Sequence, residues 1–143
     1  MIKVERLTGY DKEQVERLDV LMGQLSRKGR EKISRQWIED VTASPWHDEL
    51  IAVDDAGRIV GAATMSIVML PMRNIAYLED FVVDAEARGG GIGGKLWDEV
   101  LEWSREKGAM RLEFSCGLGR EAAHTFYMKR AEIYDTDHFR LEL

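Results

Sequence analysis

Cysteine is almost missing from this chain: Cys116 is the single one among 143 residues. One thiol builds neither a disulfide framework nor a zinc-ribbon cluster, and an unpartnered cysteine fits core packing better than nucleophilic work. Proline is nearly as scarce, with two residues, and no proline- or serine-rich linker divides the chain. No stretch approaches the roughly 18 apolar residues of a membrane span. Lys3, Glu5 and Arg6 interrupt the start where a signal peptide would be apolar. Basic residues are outnumbered, 20 against 26 acidic ones, for a net charge of −6. That balance argues against nucleic acid, whose phosphates select net basic domains. The three histidines, His47, His124 and His138, have no metal-ligand spacing, so no metal is expected. What remains is one domain spanning residues 1–143, expected in the cytoplasm with no membrane partner.

The chain is 45% hydrophobic, enough for a real core at this length. Ile2–Leu7 alternates as a strand does, and Asp11–Leu25 places Val15, Leu18, Met22 and Leu25 at helical spacing. A second helix is expected over Glu31–Val41, ended by Ser44-Pro45. Leu50–Val53 and Ile59–Leu70 flank a Gly57-containing turn, and Ile75–Val83 completes a meander. A helix over Ile92–Lys107 follows, closed by Gly108, then a strand over Arg111–Cys116 and a short helix over Arg120–Lys129. Glu132–Leu143 reads as one or two final strands. The order β-α-α-β-β-β-α-β-α-β(β) predicts an α/β domain with a mixed sheet.

Glycine is unevenly spent. Five of the 13 glycines fall in Arg88-Gly89-Gly90-Gly91-Ile92-Gly93-Gly94-Lys95, between a strand and a helix. Residues without a Cβ let backbone N–H groups approach a bulky anion, and the helix start adds unpaired amides and positive dipole. Arg88 and Lys95 contribute charge on either side. Three phosphate motifs compete for the segment. Gly89, Gly91 and Gly94 satisfy G-x-G-x-x-G, with Glu113 about 20 residues on, as a dinucleotide site would have it. Against it, Asp84–Arg88 separates the strand from the first glycine, and the chain is too short for a second mononucleotide half. Gly89, Gly94 and Lys95 nearly form a nucleoside-triphosphate loop, but Leu96 stands where a magnesium-binding hydroxyl belongs. The third pattern, R-x-x-G-x-G, is met by Arg88, Gly91 and Gly93.

The run Leu78-Glu79-Asp80-Phe81-Val82-Val83-Asp84, continued by Arg88–Leu96, resembles the acyl-CoA signature of the GCN5-related N-acetyltransferase superfamily. Arg120-Glu121-Ala122-Ala123-His124-Thr125-Phe126-Tyr127-Met128-Lys129 resembles its second signature. Arg120, the Ala-His-x-Phe-Tyr helix and His138-Phe139-Arg140 are similar to its aminoalkylphosphonate N-acetyltransferase branch. The resemblance implies a mixed, mostly antiparallel sheet flanked by helices. It also implies acetyl-CoA as co-substrate, direct attack by a primary amine in a ternary complex, and a homodimer, which is frequent in that superfamily.

By that resemblance, the amides of Gly89, Gly90, Gly91, Ile92, Gly93 and Gly94, with Arg88 and Lys95, would hold the pyrophosphate of coenzyme A. Phe81, Val82 and Val83 would run beside the pantetheine arm as an added strand does. A backbone N–H of Val82 or Val83 would polarise the thioester carbonyl. Arg120 would face the cofactor where the family usually has Asn. Attack needs a proton taken from the ammonium and one given to the leaving thiolate. Glu79 is the favoured base, with a contact to the acceptor, and Asp80 the alternative. Both are acids inside a strand, where acids are depleted. Regular alternation sets them on opposite faces unless a bulge intervenes. Tyr127 matches the family's usual general acid.

Ser26–Gln36 carries Arg27, Lys28, Arg30, Lys32 and Arg35 against Glu31 alone. Arg27 and Arg30 would hold an anionic group on the acceptor, in the region that walls the acceptor site in this superfamily. A solvated basic helix face explains the same charges. Trp37, Trp46, Met65, Met69 and Met72 could equally line an acceptor pocket or pack the core. Three functions therefore stand: acetylation of a small-molecule amine, acetylation of protein N-termini or lysines, and a non-catalytic acyl-CoA-binding module.

Overall fold

The computed structural model describes residues 1–25, 31–117 and 119–143. They form two compact units, Met1–Glu113 and Phe114–Leu143. The chain runs β1 (Lys3–Arg6), α1 (Lys12–Leu25), α2 (Arg35–Ala43), β2 (His47–Val53), β3 (Ile59–Leu70), β4 (Arg73–Val83), a 3-10 turn (Ala85–Ala87), α3 (Ile92–Glu106), β5 (Ala109–Phe114) and α4 (Glu121–Met128). The sheet order is β1-β2-β3-β4-β5, with β1 to β4 joined as antiparallel neighbours. This is the mixed, mostly antiparallel sheet flanked by helices that the sequence predicts.

Each face of the sheet buries a separate apolar cluster. On one face Val15, Leu18 and Leu21 of α1 and Ile38 of α2 pack on Ile51, Ile59, Ala62 and Val82. On the other, Ile92 of α3 packs on Ala52 and Val60, with Val4 and Val83 beside them. The period of α3 buries Leu96, Trp97, Val100 and Trp103. Trp103 donates its indole N–H to Asp48 at 2.7 Å, which satisfies a polar atom deep in that contact.

Two expectations about elements need correction. The second helix begins at Arg35, four residues later than predicted, because Ser34 caps it by accepting from the Trp37 amide at 3.0 Å. Residues 132–143 form no strand. Their alternation had suggested one, but a strand needs a neighbour to take its N–H and C=O groups. Here Tyr134, Phe139, Leu141 and Leu143 are exposed instead.

No described helix is long and apolar enough to cross a membrane. Among the described residues no cluster of His, Cys, Asp or Glu could hold a metal ion.

Candidate active site

The register of β3 and β4 breaks at one place. Ala62 pairs with Val82 and Thr64 with Glu79, so two residues of β3 are matched by three of β4. This is a β-bulge, and the extra residue makes Glu79 and Val82 share a face although they stand three apart. Asp80 sits at the bulge with φ +47°, the one positive φ outside glycine among the described residues. Aspartate tolerates that left-handed region better than most side chains. The regular alternation expected for Glu79 and Asp80 therefore does not hold.

The bulge sends Asp80 into a cleft of about 450 Å³ between α1, α2 and the sheet. Its apolar wall includes Leu18, Met22, Leu25, Ile33 and Trp37, and its polar lining is Glu31, Lys32, Ser34, Thr64 and Asp80. Glu79 and Asp80 are both exposed, and of the two only Asp80 is in the lining of this cleft, while Glu79 is the ladder partner of the cleft residue Thr64. Behind Thr64 lies a residue that sequence reasoning missed. Glu49 is fully buried, and its Oε2 accepts a hydrogen bond from the Thr64 hydroxyl at 2.7 Å. Its Oε1 has no hydrogen-bond partner. Burial pushes its carboxyl up to about 8; the Thr64 hydrogen bond pulls it down and the charge of Asp80 pushes it up. An acid two residues before the buried Ile51, on the same face of β2, was the available signal.

At the other end of β4 the chain turns through the glycine segment. Asp84 is buried and ties this turn to α1. It pairs with Arg17 and accepts from Gln24 at 3.1 Å, while Gln24 accepts from the Ala85 amide at 3.0 Å. Burial pushes the Asp84 carboxyl up, but Gln24, the Glu86 amide and Arg17 outweigh it and hold it low. Gly89 (φ +92°) and Gly91 (φ +75°) adopt the left-handed backbone that glycine allows, and Gly91 caps α3. A Cβ at either would meet nothing within 4 Å, so backbone conformation and not space requires glycine here. Residues 88–91 are exposed, and Gly93 and Gly94 lie in the first turn of α3, whose leading amides have no partner within the helix. The site can accept an oxyanion. Arg88 donates Nε to the Val83 carbonyl at 3.2 Å, and Lys95 directs Nζ to the Ile2 carbonyl at 3.4 Å. Phe81 and Val83 are half-buried and Val82 is buried, so Val82 and Val83 spend their side chains on the two cores.

In the second unit, Tyr127 is buried against Phe114 (ring centroids 4.6 Å apart) and meets Phe126 edge-on at 5.4 Å. Burial, then the neighbouring Cys116, pushes its hydroxyl up to about 12, with Arg120 opposing. It therefore keeps its proton throughout the neutral range. Arg120 precedes α4 as its N-cap residue, and His124 hydrogen-bonds the Gly117 carbonyl at 3.2 Å.

Arg27 and Arg30, expected to hold an anionic group, lie outside the described residues. Of that basic segment, Lys32 reaches the cleft. Of the aromatic and methionine candidates only Trp37 lines the cleft; Met65 is buried in the core, and Met69 and Met72 are exposed.

Comparison with known proteins adds to this geometry. The family model described as the acetyltransferase (GNAT) family matches residues 16–131. A glucosamine 6-phosphate N-acetyltransferase of Trypanosoma brucei brucei is 33% identical over 90 residues, 61% of this chain and 59% of that protein. The match thus spans about three fifths of the curated relative's length. An aminoglycoside acetyltransferase from an uncultured soil metagenomic sample, solved with sisomicin, superposes with a TM-score of 0.85 at 21% identity, covering 99% of this chain and 96% of that one. A transcriptional regulator from Bacillus halodurans C-125 reaches 0.86 at 16% identity over the whole of both chains. At such identities the superpositions speak to the fold alone.

Proposed function

The chain belongs to the acetyltransferase (GNAT) family, and on that premise we propose that it transfers the acetyl group of acetyl-CoA to a primary amine of a small molecule. The observation that carries this reading is the placement of two features along β4. Asp80 opens into a cleft of about 450 Å³ at the bulge, and the glycine turn follows the end of the same strand. That volume lies within the range of roughly 300–1,000 Å³ typical of small-molecule sites.

The residues present suit the co-substrate. The glycine turn, with its left-handed backbone and the leading amides of α3, fits a pyrophosphate. Residues 89–94 would hold it, with Arg88 and Lys95 adding charge, and the main chain of residues 81–83 would align the pantetheine arm. When bound, acetyl-CoA supplies the thioester that the amine attacks. Asp80 would take the ammonium proton, directly or through water. Tyr127, protonated at neutral pH, would give a proton to the leaving thiolate. Lys32 on the cleft wall supports an acceptor that also carries an anionic group. The name of the trypanosomal relative, a glucosamine 6-phosphate N-acetyltransferase, supports the same substrate class.

A thiol-release assay with acetyl-CoA, run across a panel of primary amines and a lysine-rich histone-tail peptide, tests the reading. Release with small amines is expected. Release with the peptide alone would move the activity to protein acetylation, and tight coenzyme A binding with no release would leave a binding module.

A further inference from the structure

Glu49 is an acid that the proposed chemistry leaves without a task. It is fully buried, its Oε1 has no hydrogen-bond partner, and among the described residues no ion pair reaches it. Unsatisfied buried polar atoms are uncommon and call for an explanation. Its surroundings supply one. Thr64, the donor to its Oε2, lies across the β2–β3 ladder from it and lines the cleft together with Asp80. Glu49 and Thr64 are ladder partners and so share a face of the sheet, the face on which Ile51 packs against α1 and α2. The groups that meet Glu49 there are the Thr64 hydroxyl from β3 and the Asp80 charge from β4, and Glu79, the exposed ladder partner of Thr64, lies on the same face. Val15, Leu18, Leu21 and Ile38, the buried residues that α1 and α2 bring to this face, carry no charge. Arg6 is held at Asp48 and Glu106 instead.

We propose that Glu49 is a positioning residue for the acceptor amine, which sets the Thr64 hydroxyl so that Thr64 and Asp80 together bind a primary ammonium on the cleft wall. The inference rests on the cleft being the acceptor site. With Glu49 ionised, the Thr64 proton points at Oε2 and the lone pairs of Thr64 Oγ1 face outward, ready to accept from an ammonium N–H. With Glu49 protonated, its O–H can donate to Thr64, and the Thr64 proton is turned toward the incoming cation.

Near neutral pH the carboxyl is mostly protonated, since burial pushes it up to about 8. An ammonium beside Asp80 offsets the like charge that helps to hold it there. Binding is then coupled to ionisation. Glu49-COOH and the free ammonium become Glu49-COO⁻, the bound ammonium and one proton released to solvent. Affinity for the amine should therefore rise with pH up to about 8.

Calorimetric titration of 2-phenylethylammonium chloride into the protein, in two buffers of different ionisation heat, reads both affinity and protons released. Wild type at pH 7 should release a measurable fraction of a proton per amine, short of one because burial still favours the protonated carboxyl. Glu49→Gln and Thr64→Val should release none and bind about tenfold or more weakly, as expected for a lost hydrogen bond to a charged group. Thr64→Ser should restore both. Thr64→Val keeps Glu49 in place and so serves if Glu49→Gln fails to fold. If Asp80→Asn weakens amine binding while Glu49→Gln and Thr64→Val match wild type in affinity and proton count, the inference fails and the acceptor reading stands. If Asp80→Asn also leaves affinity unchanged, or wild type binds no amine, the acceptor reading itself fails and takes the inference with it.

Discussion

Replacing Glu49 by glutamine should flatten the pH dependence of stability. The carboxyl is fully buried and pushed up to about 8, against a usual value of 4.5 in an unfolded chain. Between those values the folded protein holds a proton that the unfolded chain releases, so stability falls as pH rises. The contribution is fully present below the unfolded value and is lost as pH passes through the folded one. Each pH unit inside that window costs about 1.4 kcal/mol. Wild type should then lose up to roughly 4 kcal/mol, relative to Glu49→Gln, between pH 5 and pH 8. Glutamine introduces a constant offset of its own, but no proton to exchange and hence no slope. Guanidinium denaturation followed by tryptophan fluorescence at several pH values measures the difference. The four tryptophans, Trp37, Trp46, Trp97 and Trp103, all lie within Met1–Glu113, so the signal reports the unit that contains Glu49. Other groups titrate in both proteins and cancel in the comparison. Parallel curves would refute the reasoning, because they would mean that Glu49 titrates near its ordinary value.

Further outcomes follow from the same geometry. Gly91→Ala forces a side chain onto φ +75° and should cost about 1–2 kcal/mol of stability, read as a lower melting temperature, and should weaken coenzyme A binding. Unchanged values for both would remove the backbone argument for the turn. Glu79→Gln should lower kcat less than Asp80→Asn, since only Asp80 lines the cleft; the reverse order would return the base to Glu79. Tyr127→Phe should lower kcat by about 10²–10⁴-fold with acetyl-CoA affinity kept, and an unchanged kcat would reject its role as acid.

What the sequence made legible was local chemistry. The glycine turn could be read because its positive φ values and its helix start need particular residues at fixed spacing. Glu79 and Asp80 stood out because acids are unusual inside a strand. The choice between them was not legible, since the bulge at Asp80 depends on the register of β4 against β3, a pairing between distant residues. Glu49 was missed for the same reason: its isolation follows from what α1 and α2 cover, not from its neighbours in the chain. At 132–143 the error ran the other way, because alternation announces a face but not a partner. The start of α2 moved because Ser34, a cap, outweighed the helical periodicity before it.

Transfer of the acetyl group itself tests the central claim most directly. Acetyl-CoA carrying a radiolabelled acetyl group, incubated with the protein and a panel of small primary amines, should yield labelled amide. Asp80→Asn should lose nearly all of that product while binding acetyl-CoA as wild type does. Label that stays on coenzyme A with every amine, or an Asp80→Asn protein as active as wild type, would contradict the account.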